Sequence, residues 1–366
     1  MYVKPDIWQG RIDEIEQIKL WLADNSTRLI GITALGGFGK SALAAYIYQN
    51  ESANFAKKFW SDASRKETFT EFARRVLLRL GMPNATIETI PELSLVDALV
   101  NYLCEKPCLL VIDNLESLLQ EDGQSLNSFY DKFVKAWLEY GNLSKIIVTA
   151  RERPKLRLTK TQWLPLSGLS PQEGGALLRD LGILGTPSEL EEFAREAQGH
   201  PLLLTLVAGF LKDKEETKPH IKYLQDYDLD NTKKLITSKQ LGGTHRGVEV
   251  WMHQILDTSF ERLSDKLQQL LLNISVYQTS FYLDAAINQM PEKEISEEDL
   301  RLLVRRSLLQ EDRDEDEDKI YKFHPLILTY LRSKAGNLDE AHQRAIDYYS
   351  NPKSFVKNQA HQYLKL

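Results

Sequence analysis

The chain has 366 residues, of which 42% are hydrophobic and 27% charged, and its formal net charge is −6. This length predicts two or three domains with ample apolar material for their cores. The negative charge argues against a protein that coats nucleic acid or an anionic membrane. No apolar run reaches the roughly 18 residues of a transmembrane helix, and the N-terminus lacks the features of a signal peptide. Cys104 and Cys108 lack the spacing of a zinc site. We therefore expect a cytoplasmic protein with reduced thiols.

Strand-like apolar runs alternate with helical stretches over residues 1–165. Residues 11–24 have helical spacing, 28–33 predict a buried strand, and 41–48 have helical composition. Further strands are predicted at 58–60, 108–112, 146–148 and 163–166, separated by helices over 69–80, 93–104 and 126–140. Such alternation predicts a parallel sheet with helices on both faces, the α/β fold of a P-loop nucleotide-binding domain.

The pattern then changes to helices alone. Ser170–Glu173 and Thr186–Glu189 have the sequence of capping boxes with proline at the first helical position, and Pro201 begins an apolar helix. We predict a small helical domain with a connection over 166–245. Helices at about 250–262, 264–276, 283–290 and 297–306, then strand-like segments at 307–310 and 319–323, predict a winged-helix domain over 246–335. The helical tail, 336–366, predicts the start of C-terminal repeats.

Residues 34–41, Ala-Leu-Gly-Gly-Phe-Gly-Lys-Ser, match the P-loop pattern G-x-x-x-x-G-K-S/T except that Ala34 replaces the first glycine. They follow a predicted strand and precede a predicted helix, as the motif requires. Glycines allow successive backbone N–H groups to converge on phosphate oxygens, and the helix start adds a positive end. We predict that Lys40 neutralises the β- and γ-phosphates and that the Ser41 hydroxyl binds Mg²⁺. The predicted nucleotide-binding set is Gly36, Gly37, Gly39, Lys40, Ser41 and Ala42.

Two further strands end in side chains suited to a nucleotide site. Asp113 ends an apolar strand and is predicted to hold the metal through its water shell. Asn114 stands where many P-loop ATPases have a second acid, and an amide is no general base. Glu116 either takes that role or is a solvated loop acid. Arg151 follows the next strand, where it either reaches the γ-phosphate or is a surface loop residue.

The motifs resemble, in order and spacing, the NB-ARC module of STAND-class ATPases, the switch proteins of apoptosis, plant immunity and bacterial signalling. The resemblance covers about residues 7–335. It is carried by Gly10-Arg11, the P-loop, Val111–Asp113, Thr149–Arg151, Gly199–Leu202 and Phe323–Leu326. It implies that Arg11 contacts the adenine and ribose, and that Pro201 packs against the base with Thr205 near the phosphates or sugar. It also implies that His324, the histidine of the family's MHD motif, contacts the β-phosphate of ADP. Pro325 replaces the aspartate of that motif.

The resulting hypothesis is an ADP/ATP-dependent switch of signal transduction, with an ADP-bound closed state and slow Mg²⁺-dependent ATP hydrolysis by Lys40, Asp113 and Arg151. The expected partners are an effector or sensor protein and, on activation, further copies of the chain in a homo-oligomer. One alternative is a nucleotide-regulated DNA-binding protein that uses Arg301, Arg305 and Arg306. The acidic segment 311–318 would repel DNA phosphates and makes DNA the less favoured partner. Others are a constitutive AAA+-like ATPase and, less favoured, a P-loop kinase.

Overall fold

The computed structural model describes residues 7–51, 55–65, 67–119, 126, 128–154, 159–212, 218–224, 245–314 and 317–350. The chain divides into two compact units. The first is Gly10–Ser167, and the second is Ile7–Gln9 together with the residues from Gly168 onward. Each unit has a hydrophobic core of its own.

A five-stranded parallel sheet forms the centre of the first unit, in the order β2-β3-β4-β1-β5. Its strands are β1 (Leu29–Thr33), β2 (Lys57–Asp62), β3 (Cys108–Asp113), β4 (Lys145–Ala150) and β5 (Thr161–Pro165). The three inner strands are almost entirely buried, because helices cover both faces of a parallel sheet. The parallel α/β sheet predicted from the sequence is confirmed.

The helices of this unit are α1 (Ile12–Ala23), α2 (Lys40–Asn50), α3 (Phe69–Arg79), α4 (Asn84–Glu88), α5 (Leu95–Glu105) and α6 (Ser128–Tyr140). Short 3₁₀ turns occupy Ala63–Arg65, Glu92–Ser94 and Leu115–Leu118. Phe72, Phe133 and Trp137 are fully buried in the core. The Trp137 indole N–H donates to the Arg28 carbonyl at 3.1 Å. This bond joins α6 to the residue before β1 and so helps to fix the strand that leads into the P-loop.

Where the structure describes it, the second unit is helical apart from one antiparallel pair of strands. Its elements are α7 (Pro171–Asp180), α8 (Pro187–Glu196), α9 (Pro201–Leu211), α10 (His245–Glu261), α11 (Asp265–Ile274), α12 (Leu283–Asn288), α13 (Glu297–Arg305), β6 (Gln310–Arg313), β7 (Lys319–Lys322), α14 (Pro325–Lys334) and α15 (Asp339–Ser350). The capping boxes predicted at the starts of α7 and α8 are both present. A single core cluster extends from Leu169 to Tyr349.

The first strand of the antiparallel pair was predicted at 307–310 and instead begins at Gln310. Ser307 has a φ of 59°, which turns the chain after α13, and Leu308 and Leu309 are buried in the core before pairing begins. Strand β6 therefore takes three of its four residues from the acidic segment, with Glu311 opposite Tyr321 of β7.

Parts of two predicted segments fall outside the described residues: 213–217 and 225–244 of the connection, and 351–366 of the tail. Within the part of the chain that is described, no helix is long and apolar enough to cross a membrane.

Candidate nucleotide-binding site

The candidate site lies where β1, β3 and β4 end. Residues 34–39 leave β1 and lead into α2, which begins at Lys40. Gly37 and Gly39 have φ values of 79° and 89°, a left-handed conformation that glycine adopts without the steric cost of a side chain. A Cβ added to Gly39 would meet nothing within 4 Å. Backbone conformation rather than crowding therefore requires glycine there.

Lys40 carries the positive charge of the loop. Its side chain is buried, and Nζ donates to the carbonyls of Ala34 at 2.9 Å and Leu35 at 3.0 Å. Burial lowers the pKa of Lys40, while the carboxylates of Glu116 and Asp113 oppose this shift. The ammonium thus lies against the loop that the P-loop motif assigns to phosphate.

Ser41 and Asp113 bring a hydroxyl and a carboxylate together. Ser41 Oγ donates to Asp113 Oδ1 at 2.8 Å, and the Thr149 hydroxyl of β4 donates to the same oxygen. Asp113 is buried. Hydroxyl and carboxylate oxygens suit Mg²⁺, which is usually bound by few protein ligands together with waters and substrate phosphates. The residues present therefore fit the predicted metal, and Thr149 orients the carboxylate.

Asn114 links the ends of β2 and β3 through Asp62. Its backbone is left-handed, with a φ of 60°, its N–H donates to Thr149 Oγ1 at 2.9 Å, and its side-chain amide donates to Asp62 Oδ1 at 3.0 Å. Burial by itself would raise the pKa of Asp62, but hydrogen bonds from Asn114 and Ser64 outweigh burial and lower it. Sequence reasoning missed Asp62 and the role of Thr149. Their positions at the ends of β2 and β4 were the signal by which the sequence could have identified them.

Glu116 and Arg151, whose roles the sequence left open, form an ion pair. Glu116 lies on the 3₁₀ turn after β3, and Arg151 is the first residue after β4. Arg151 Nε lies 3.3 Å from Glu116 Oε1, with the side chains 55% and 23% exposed respectively. Glu116 Oε2 is buried, with no hydrogen-bond partner among the described residues. The two residues lie together at the sheet edge that carries Asp113.

Arg11 precedes α1 and is buried. Its guanidinium donates to Glu14 at 2.8 Å, to the carbonyl of Phe38 in the P-loop at 3.1 Å, and to the carbonyl of Ser167 at 2.8 Å. These bonds join the start of α1, the P-loop and the segment after β5. This structural role was missed from the sequence, and the contact with adenine and ribose stays a prediction.

Pro201 and Thr205 lie on the first turn and a half of α9. Pro201 is the first residue of the helix, in agreement with its predicted position. The Thr205 hydroxyl donates to the Pro201 carbonyl, four residues back, at 2.9 Å. The predicted contacts of both residues with the base, sugar or phosphates stay predictions.

His324 is the N-cap of α14, with Pro325 at the first helical position. Its ring Nδ1 accepts from the N–H of Leu326, two residues on, at 3.2 Å. His200 Nδ1 accepts from the N–H of Leu203, three residues on at the start of α9, also at 3.2 Å. An acceptor Nδ1 places the proton of a neutral imidazole on Nε2. The predicted contact of His324 with a diphosphate stays a prediction.

The match to a known protein family lies almost entirely within the first unit. Residues 11–170 match the NB-ARC domain. The first unit is an NB-ARC domain. Over these residues the match confirms the resemblance to the NB-ARC module that the motifs indicated.

The fold is similar to that of a STAND protein with a tetratricopeptide repeat sensor from Pyrococcus horikoshii, with a TM-score of 0.68 at 18% identity over 97% of this chain and 48% of that chain. An uncharacterized WD repeat-containing protein from Nostoc is 24% identical over 83% of this chain and 25% of its own length. A probable disease resistance protein from Arabidopsis thaliana is 24% identical over 71% of this chain and 30% of its own length. The chain thus spans between a quarter and a half of these proteins.

Proposed function

We propose that this chain is an ADP/ATP-operated switch whose NB-ARC domain binds Mg²⁺-nucleotide and hydrolyses ATP slowly. The observation that carries the proposal is the grouping of Lys40, Ser41 and Asp113, in which Ser41 Oγ lies 2.8 Å from Asp113 and the buried Lys40 lies on the same loop as Ser41. This group contains the cation, hydroxyl and carboxylate by which P-loop NTPases bind phosphates and Mg²⁺.

In the proposed closed state, ADP contacts the P-loop together with Pro201 and His324. The Nδ1 bond of His324 supports this assignment, because it directs the ring proton to Nε2, a donor suited to a phosphate oxygen. ATP would instead engage Arg151 and favour an open state. Nucleotide exchange drives a switch only as far as ADP and ATP differ in affinity for the two states. The open form is the one we expect to form homo-oligomers.

Division of the second unit into a helical domain and a winged-helix domain is part of this proposal. Helices α10 to α13 followed by the β6–β7 hairpin are in the order that a winged helix requires. The tetratricopeptide sensor of the Pyrococcus protein and the WD repeats of the Nostoc protein favour a repeat domain as the source of the signal.

The arginines of α13 bear on the DNA-binding alternative. Arg301 pairs with Glu297 at 3.0 Å and Glu298 at 3.7 Å, and Arg305 pairs with Glu298 at 3.2 Å. Arg306 ends the helix with two guanidinium nitrogens buried. DNA phosphates would have to replace these pairs beside the acidic strand β6. Protein contact is therefore the role we propose for this region.

The test begins with the nucleotide that is released when the purified protein is denatured. We expect ADP, with Mg²⁺-ATP turnover far slower than one per second. Lys40→Met should abolish ADP and ATP binding in calorimetry. Lys145→Met is the matched control, because Lys145 is also buried and donates to main-chain carbonyls, those of Asp24 and Thr27, but it lies at the start of β4. Absence of adenine nucleotide binding would refute the proposal, and rapid steady turnover without retained ADP would favour the AAA+-like alternative.

A further inference from the structure

The carboxylate of Glu116 lies close to the groups that would surround a γ-phosphate. Strands β3 and β4 are neighbours and parallel, so Glu116 after β3 and Arg151 after β4 emerge at the same edge of the sheet. Among the charges that act on the ammonium of Lys40, the carboxylate of Glu116 has the largest effect, ahead of Asp113 and Arg151. Glu116 thus emerges at the same sheet edge as Arg151 and acts electrostatically on the cation that is assigned to the β- and γ-phosphates.

The two oxygens of Glu116 have different surroundings. Oε1 lies 3.3 Å from Arg151 Nε, whereas Oε2 is buried and accepts no hydrogen bond from any described residue. Most buried polar atoms in folded proteins are hydrogen-bonded, so an exception in a candidate site points to a role that includes water or a ligand. Because Oε2 is buried, a water molecule can reach it only after a neighbouring group moves.

The neighbouring side chains of Asp113 and Asn114 already make hydrogen bonds to other protein groups. Asp113 accepts from Ser41 and Thr149, and the Asn114 amide donates to Asp62. The amide has no basic atom at neutral pH. Glu116 differs in having a buried carboxylate oxygen, Oε2, without a hydrogen-bond partner among the described residues.

We propose that Glu116 is the general base of ATP hydrolysis and that Arg151 occupies this carboxylate until a γ-phosphate draws the arginine away. This inference rests on the proposed function, since it requires ATP in the P-loop. In the reaction, a water oxygen forms a bond to the γ-phosphorus while the bond from that phosphorus to the β–γ bridging oxygen breaks, and its electron pair stays with ADP. The water proton passes to Glu116 Oε2 and then to solvent, leaving ADP and orthophosphate.

Because of the ion pair between Arg151 and Glu116, the availability of the proposed base depends on whether ATP or ADP is bound. Arg151 is more than half exposed, and an ion pair so open to solvent is weak. A γ-phosphate, with more than one negative charge, therefore competes well for the guanidinium. With ADP no such competitor is present, and Arg151 stays on Glu116. Binding of ATP thus both recruits Arg151 and releases the base.

Glu116→Gln separates this mechanism from a merely structural ion pair, because it should change two quantities in opposite directions. Single-turnover hydrolysis of Mg²⁺-ATP should fall about 100-fold or more, the usual contribution of a general base. The affinity for ATP should rise about three- to fivefold, since Arg151 loses a competing partner of the strength of an exposed ion pair. The affinity for ADP should rise less than that for ATP, since ADP has no γ-phosphate to bind the released Arg151. The double variant Glu116→Gln/Arg151→Ala should lose the gain in ATP affinity.

Asp131→Asn is the matched control. Asp131 has a similar exposure of 25% and pairs with Lys135 at 2.6 Å on α6, and its loss should alter neither hydrolysis nor nucleotide affinity. Hydrolysis by Glu116→Gln at the wild-type rate would overturn the assignment of the base. So would a wild-type protein that binds Mg²⁺-ATP and leaves it intact. An unchanged affinity for ATP in Glu116→Gln would overturn the competition for Arg151. In the two outcomes with Glu116→Gln nucleotide still binds and the wild type still hydrolyses ATP, which distinguishes them from failure of the proposed function.

Discussion

The hydroxyl of Ser41 donates to the carboxylate of Asp113 at 2.8 Å, across 72 residues of sequence. Ser41 follows β1 and Asp113 ends β3, and the two strands are separated in the sheet by β4. Thr149, which donates to the same carboxylate, lies on this intervening strand. The start of α2 and the ends of β3 and β4 thus position one oxygen atom of Asp113, which gives a fixed direction for a metal ligand.

The first prediction concerns Mg²⁺. Asp113→Asn should remove most of the difference between ATP affinity with Mg²⁺ and with EDTA, because a neutral amide replaces the charged ligand. We expect the affinity for Mg²⁺-ATP to fall about tenfold or more, in the range seen when groups of a metal site are altered. Calorimetry with and without Mg²⁺ measures both values, with Asp131→Asn as control. An undiminished Mg²⁺ effect in Asp113→Asn would contradict the assignment.

The second prediction concerns His324 and uses a substitution that keeps the helix cap. Asparagine is a good N-cap residue, so His324→Asn should preserve the start of α14 while removing the imidazole. We expect ADP affinity to fall about 10-fold or more, as for loss of a hydrogen bond to a charged group, with ATP affinity unchanged. Fluorescent ADP and ATP analogues in parallel titrations measure the two affinities.

His200→Asn is the control for this variant. The ring of His200 also caps a helix, α9, and its Nδ1 accepts from the N–H three residues on rather than two, at the same distance of 3.2 Å, so the two substitutions make a similar local change. We expect ADP affinity to be altered only by His324→Asn. Equal ADP affinity in the wild type and His324→Asn would show that the histidine is no contact of the diphosphate.

The P-loop and the parallel sheet could be predicted from the sequence because their signals are local. The apolar run of β1, the glycines and Lys40 are consecutive, and each has its own chemical reason. The pairing of Glu116 with Arg151 could not be predicted, because it depends on β3 and β4 being neighbours in the sheet. The start of β6 was misplaced for a similar reason: burial of Leu308 and Leu309 in the core decides where pairing begins.

The third prediction concerns packing within the second unit. Gly209 lies on α9, where an added Cβ would come within 2.4 Å of the Arg306 carbonyl oxygen and 2.7 Å of Ser307 Oγ. The Arg306 main chain cannot move aside without disturbing its neighbours. Gly209→Ala should therefore lower the free energy of unfolding by about 1–3 kcal/mol, the usual cost of overpacking. Urea denaturation measures this cost. Gly336→Ala is the control, since its Cβ would meet nothing within 4 Å, and equal stability of the two variants would refute the close approach.

The fourth prediction concerns Asn114, where an acid would bring the sequence closer to the usual ATPase pattern. The Asn114 amide donates to the Asp62 carboxylate at 3.0 Å. Asn114→Asp would therefore place two carboxylates side by side, where they repel each other. We expect no gain in hydrolysis and a loss of about 1–3 kcal/mol in the free energy of unfolding at pH 7, the cost of leaving a buried group without its partner. A variant that hydrolyses ATP faster than the wild type would contradict this view of Asn114.

The pH dependence of that loss follows from the pKa of Asp62, which its hydrogen bonds lower despite burial. A carboxyl whose pKa is lowered by folding stabilises the protein above its unfolded value, about 4, and this contribution disappears as pH falls through the folded value. Repulsion between two carboxylates also disappears on protonation. The deficit of Asn114→Asp should therefore be largest near pH 7 and shrink below about pH 4. Asn84→Asp is the control, because the Asn84 amide also donates to a carboxylate, that of Glu88, but at an exposed site. A deficit of equal size at both pH values would show that carboxylate repulsion is not its cause.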